Sequence, residues 1–365
     1  MPTQTRGLIF IPDISGFTRF VTEVEIDHSQ LIIRELLEIL IDANNTNLIV
    51  SEVEGDAILF YKFCDKPSLN EVYQQVERMF TAFHKNLMTY ERRKYCQCEA
   101  CLSAIHLTLK VVTHYGEFAE YSVKNFNKLI GKDVIVAHQL LKNDISLHEY
   151  WIATPELLHD DALPAEPLAW EQGSKSTEQG DISFHFAQLG FLKSQISVEP
   201  PTKPDLDARS KVMAFEREYD TDIITLLHAT ADFTNRDKWM HGVEKVEIQN
   251  HFLPRIGNRS IMFVENKKTT MIANFYSFNE KRIEFSEMEE ESGDLLYYTL
   301  EPLGELRTKL TLDYHINKKP LGTLLFNLGK KSSLTTKLEK SLDSLGEFVQ
   351  RWGDTVRTRS APVKA

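Results

Sequence analysis

Around residue 200 the chain runs Val198-Glu-Pro-Pro-Thr-Lys-Pro-Asp-Leu-Asp, with Pro200, Pro201 and Pro204 close together. Proline fixes φ and lacks an amide donor, so a polar stretch this rich in it neither joins a sheet nor continues a helix. It reads as a stiff, exposed linker. Nothing else in the sequence constrains the fold as strongly, because the linker divides 365 residues into two stretches that can each build a core. The expected divisions are a first domain at 1–200, a linker at 201–210, a second domain at 211–355 and a flexible tail at 356–365.

The net charge of −11 argues against a chain whose main task is to coat nucleic acid or an anionic membrane, since both require a basic surface. Local basic sites remain compatible with it. No apolar run approaches the roughly 20 residues that span a bilayer, and the amino terminus lacks a basic-then-apolar signal. The expectation is a cytoplasmic protein without a membrane span.

Within the first stretch, Leu8–Pro12 reads as a strand and Ser29–Asn44 as a buried, Leu- and Ile-rich helix. Leu48–Val53 and Ala57–Phe63 alternate like a hairpin around Glu54-Gly55. Leu69–Tyr90 is an amphipathic helix, Leu107–Val112 a strand, and Gly131–Lys142 begins a third helix. The order β-α-β-β-α-β-α is that of a ferredoxin-like α+β sheet with helices on one face and the other face open. Leu157–Gly180 turns polar and reads as a surface excursion.

Two aspartates sit beside the strands of this frame, Asp13 after Leu8–Ile11 and Asp56 before Ala57–Tyr61. One reading makes them turn and cap residues. The other makes them a pair of hard oxygen ligands, because Mg²⁺ carrying phosphate takes only one or two carboxylates from a protein. Four cysteines are also present, three of them in Cys96-Gln-Cys98-Glu-Ala-Cys101. They form either a thiol cluster or a Zn²⁺ site, which needs Cys64, His106 or His114 as its fourth ligand.

The segments Ile11-Pro-Asp-Ile-Ser-Gly-Phe-Thr18, Gly55-Asp56, Leu109-Lys-Val-Val-Thr-His-Tyr-Gly116, Gly131-Lys-Asp-Val134-Ile-Val-Ala137 and Leu189-Gly-Phe-Leu-Lys193 occur in the order of class III nucleotidyl (adenylyl and guanylyl) cyclases. The first 200 residues resemble that family, in an outlying bacterial branch. The resemblance implies that Asp13, Asp56 and the backbone carbonyl of Ile14 hold two Mg²⁺ or Mn²⁺ ions around a nucleoside triphosphate. It also implies a head-to-tail homodimer and, where turnover occurs, a cyclic nucleotide product. Besides Ile11, which stands where the family usually carries phenylalanine, two positions that bear on catalysis depart from the pattern. Ile135 stands where the family carries the ribose-orienting Asn, and Gln139 where it carries the phosphate-stabilising Arg. Neither replaces the lost donors, a change that typically costs about 10²–10³ in rate per donor. Lys142, His138 and Asn143 are the nearby substitutes. At the positions that read the base stand Glu52 and Lys128, which either recognise a base or bind each other.

After the linker, a strand at Val212–Tyr219, a helix at Asp222–Ala231, strands in hairpin succession from Lys245 to Ile316, and a terminal amphipathic helix form a second pattern. With the segment Asp232 to Val246, which includes Trp239, this half resembles the START-like helix-grip superfamily of polyketide cyclases and lipid carriers. The resemblance implies an antiparallel sheet gripping a long carboxyl-terminal helix and a hydrophobic small molecule held between them. Trp239, Phe263, Phe275, Phe285 and Tyr297 are the candidate lining, with plain core as their other reading. Two functions follow for the whole chain: a nucleotidyl cyclase-like signalling protein controlled by an apolar ligand, or a catalytically degenerate cyclase fold serving as a dimerisation platform for the ligand-binding module.

Overall fold

The computed structural model describes residues 5–24, 26–94, 99–124, 126–158, 167–178, 180–199, 202–249, 256–264, 267–279, 281–319 and 321–359. Pro200, Pro201, Cys96 and Cys98 lie outside them, as do residues 360–365 of the expected tail. The chain divides into two compact units, Met1–Glu91 with Cys98–Glu199, and Arg92–Gln97 with Pro200–Ala365. Both are α+β.

In the first unit the elements run β1 (Arg6–Ser15), α1 (Phe17–Glu23), α2 (Ile26–Asp42), β2 (Ile49–Glu54), β3 (Ala57–Phe63), α3 (Leu69–Arg93), α4 (Glu99–Ser103), β4 (Thr108–Glu117), β5 (Ala119–Val123), β6 (Phe126–Ile130), α5 (Lys132–Leu140), β7 (Tyr150–Ala153), β8 (Trp170–Thr177) and β9 (Gly180–Gln188). The main sheet is ordered β2-β3-β1-β4-β7-β9-β8. Its first four strands are antiparallel neighbours in the ferredoxin-like order, and β7 adds parallel to β4. Side chains alternate across β1. Leu8 and Phe10 share a cavity wall with Val72 and Gln75 of α3, whereas Ile9 and Ile11 join Val134, Ala137 and Leu140 of α5 in one core. Helix α5 therefore covers part of the face expected to stay open.

Within the polar stretch read as a surface excursion, Trp170–Thr177 is in fact a strand. Its backbone pairs with β9 along eight residues, and its alternating half-exposed pattern is that of a sheet edge. Gly173 has the Phe184 ring where a Cβ would stand, 2.5 Å away. Polarity misled here because an edge strand buries little.

The second unit contains β10 (Arg209–Tyr219), α6 (Ile223–Ala231), α7 (Arg236–Trp239), β11 (Val243–Gln249), β12 (Arg259–Val264), β13 (Lys267–Asn279), β14 (Arg282–Glu289), β15 (Leu295–Gly304), β16 (Arg307–Asn317), α8 (Gly322–Gly329) and α9 (Lys331–Arg359). The last helix thus extends into the stretch expected to be a tail. Asp222 caps α6 by accepting from the amides of Ile224 and Thr225. The seven strands are antiparallel in the order β10-β16-β15-β14-β13-β12-β11. Leu338, Leu342, Leu345, Phe348 and Val349 of α9 pack into one core with Phe215, Phe285, Tyr298 and Leu312 of the sheet. Buried in this core, Arg236 pairs with Glu287 and donates to Tyr298 Oη at 3.2 Å.

Candidate functional site

Strand pairing assembles the first site. Asp13 on β1 lies opposite Ala57 on β3 and opposite Lys110 on β4. The turn between β2 and β3 is two residues, Gly55 and Asp56, and Gly55 takes φ of 62°, which suits glycine. The Ile14 amide then donates to the backbone carbonyl of Asp56 at 2.9 Å, tying the turn to β1. Asp13 and Asp56 are thereby brought together at one end of the sheet.

Their electrostatics follow from burial. Asp13 is pushed up to about 6, chiefly by burial and further by Asp56, against the pull of Lys110. Burial also raises Asp56. Lys110 Nζ lies 3.5 Å from Asp13 Oδ2 and donates to the Leu141 carbonyl just past α5 at 3.0 Å. Sequence reasoning passed over this lysine. The signal was a cation inside the apolar run Leu109-Lys-Val-Val, in register with the first aspartate.

Among the described residues no three His, Cys, Asp or Glu side chains gather as a metal centre. Two carboxylates that each bear a cost for ionising in partial burial remain. That donor set fits a hard divalent ion completing its shell with water and phosphate. Asp13 and Asp56 would hold it. A cavity of about 700 Å³, lined by Gly16, Arg19, Phe20, Leu102, His106 and Leu107, opens beyond the end of β1. Neither carboxylate lines it.

The other expected site residues fall elsewhere. Ile135 points outward, 48% exposed. Gln139 lines a separate cavity of about 330 Å³ with His114, Asp133 and Glu156, and its buried Oε1 has no hydrogen-bond partner among the described residues. Of the nearby substitutes, Asn143 is committed to the Leu140 carbonyl and the Tyr150 hydroxyl, and Lys142 is exposed. Glu52 and Lys128 bind each other as an ion pair. With the hydrogen bond from Tyr61 to Glu120, that pair fastens the β5–β6 hairpin over β2 and β3.

His114 is buried, with Nδ1 2.7 Å from Thr154 Oγ1 and Nε2 3.4 Å from Asp133 Oδ1. Burial lowers its pKa against the pull of Asp133 and Glu156. Of the cysteine cluster, Cys96 and Cys98 lie outside the described residues. Cys101 is buried and accepts from the Tyr90 hydroxyl at 2.8 Å, and Cys64 Sγ donates to the Lys62 carbonyl at 3.4 Å.

In the second unit the candidate lining divides between two faces. Trp239 and Phe285 belong to the core under α9. The Trp239 indole N–H donates to the Ala229 carbonyl at 3.0 Å, and Phe285 stacks on Tyr298 at 4.5 Å. Phe275 and Tyr297 instead form a cluster with Leu206 and Met288, apart from that core. Phe263 lies under Lys245 and Lys268. The five therefore do not line one pocket, because strand alternation sends neighbouring residues to opposite faces.

Residues 33–150 match the model of a family described as a protein of unknown function, DUF2652. An uncharacterized protein of Mycobacterium tuberculosis, Rv2561/Rv2562, is 29% identical over 179 residues, covering 47% of this chain and 77% of that protein. Similar solved structures include the catalytic core of a rhodopsin-guanylyl cyclase with converted specificity in complex with ATPalphaS (12% identity, 51% of this chain and 96% of that one, TM-score 0.37). The adenylyl cyclase CyaB from P. aeruginosa is 13% identical, covering 50% of this chain and 93% of its own (TM-score 0.33). A START superfamily protein from Mycobacterium smegmatis is 17% identical, covering 39% and 99% (TM-score 0.31).

Proposed function

We propose that the first unit binds a nucleoside triphosphate as its Mg²⁺ or Mn²⁺ complex through Asp13 and Asp56, in a head-to-tail homodimer, and turns it over weakly. The observation that carries this reading is the convergence of two partly buried carboxylates whose ionisation burial opposes. A divalent ion bound there supplies the charge that neutralises the triphosphate. Lys110 adds a fixed ammonium beside Asp13. Weak turnover follows from Ile135 and Gln139: neither offers a cationic donor, so the rate falls at least about 10²-fold below that of a site with both donors.

One observation favours a second reading. Lys110 already sets an ammonium 3.5 Å from Asp13 within the sheet, as expected of a degenerate fold that has replaced its metal and serves as a platform for the second unit. Titration calorimetry with each of the four nucleoside triphosphates and Mn²⁺, with product analysis, separates the two. Metal-dependent nucleotide binding that Asp13→Asn abolishes supports the first reading. Binding by neither nucleotide nor Mn²⁺, with a large loss of stability in Lys110→Met, establishes the second.

A further inference from the structure

Helix α8 and the residue before it carry four leucines that the fold leaves outside. Leu321 is 70% exposed, Leu324 54%, Leu325 67% and Leu328 78%. Their spacing makes one stripe along the helix. Phe326 sits about 150° round from the middle of that stripe; it is buried and stacks on Tyr314 at 5.8 Å. This contact holds the helix to the sheet with its apolar side facing away. Leu321 takes φ of 64°, a region that leucine seldom visits.

Charge surrounds the stripe. Lys318 and Lys319 precede it, Lys330 and Lys331 follow it, and all four are exposed. The Lys318 ammonium donates to the Asp207 carbonyl at 3.5 Å. From Asp313 to Glu339 the sequence has no other acidic residue, in a chain whose net charge is −11. An apolar face flanked at both ends by exposed lysines is what an interfacial helix presents to anionic lipid, where leucines enter the acyl boundary and lysines meet headgroup phosphates. A second copy of the chain would cover the leucines but bring lysines against lysines. Nucleic acid would meet the lysines and leave the leucines in water.

We propose that α8 docks the protein, reversibly and without spanning, on the surface of an anionic phospholipid bilayer. The test is co-sedimentation of the full chain with vesicles of phosphatidylcholine alone or mixed with phosphatidylglycerol. The expected result is partition into the mixed vesicles only, weakening as salt rises. Leu324→Ser with Leu325→Ser lowers the partition coefficient about tenfold or more. Lys330→Glu with Lys331→Glu does likewise and removes most of the salt dependence. All four sites are exposed, so the melting temperatures of these variants stay near that of the parent. Failure to bind phosphatidylglycerol vesicles overturns the proposal, as does equal partition of the leucine variant. It is equally overturned if light scattering shows a dimer that the leucine variant converts to monomer, since the face is then a self-interface.

Discussion

Asp13 carries an ionisation cost that a bound cation would relieve. Its pKa is raised from 3.8 to about 6, mainly by burial, so the folded chain binds its proton more tightly than the unfolded chain does. That contribution to stability is fully present below about pH 4 and is lost as pH rises through about 6. An asparagine at this position has no charge to bury, so Asp13→Asn should gain roughly 1–2 kcal/mol relative to the parent on going from pH 4 to pH 8. Denaturant melts at the two pH values measure it. Mn²⁺ binding has the opposite slope, because the ion needs the carboxylate ionised. Its apparent affinity should fall about tenfold per pH unit below 6 and be lost in Asp13→Asn, as read by calorimetry.

Helix α5 shows how an element is aimed. Its first-turn Asp133 accepts from the Glu117 amide at 2.5 Å and approaches His114, and it fits only because Gly116 has no side chain there. A Cβ on Gly116 would lie 2.1 Å from Asp133 Oδ2. Gly116→Ala should therefore cost roughly 1–3 kcal/mol and displace α5, with a matching drop in the melting midpoint. Much at this scale was legible in sequence. The hairpin around Gly55 and the long α3 stood out because their periodicities are strong. Strand β8 did not, since an edge strand is held through backbone pairing, which leaves no apolar signature. Nor did aromatic character show that Phe275 and Phe285 take opposite faces, which follows from the hairpin register that sets Phe275 opposite Ser286 and Phe285 opposite Tyr276. Asp13 and Asp56 were readable as a pair, whereas Lys110 became legible only through the register of β1 on β4.

At the scale of the whole molecule each unit carries its own core, that of the first including Ile9, Ile11 and Val134 and that of the second Leu342, Leu345 and Tyr298. Burial pushes the Glu287 carboxyl up against the pull of Arg236, with which it is paired inside the second core. Removing one member strands the other charge. Arg236→Met should cost about 3–5 kcal/mol, and adding Glu287→Leu should restore most of it. Calorimetry should show this as movement of one transition, with the other unchanged. The convergence of Asp13 with Asp56 has a different consequence, one of time. The two residues lie on separate strands of the sheet, and β1 and β3 must find register before the two carboxylates meet. The site therefore has no existence in a half-folded chain. Its capacity to take up a metal ion should appear only with the slowest refolding phase of the first unit, which makes ion uptake a clock for the completion of that sheet.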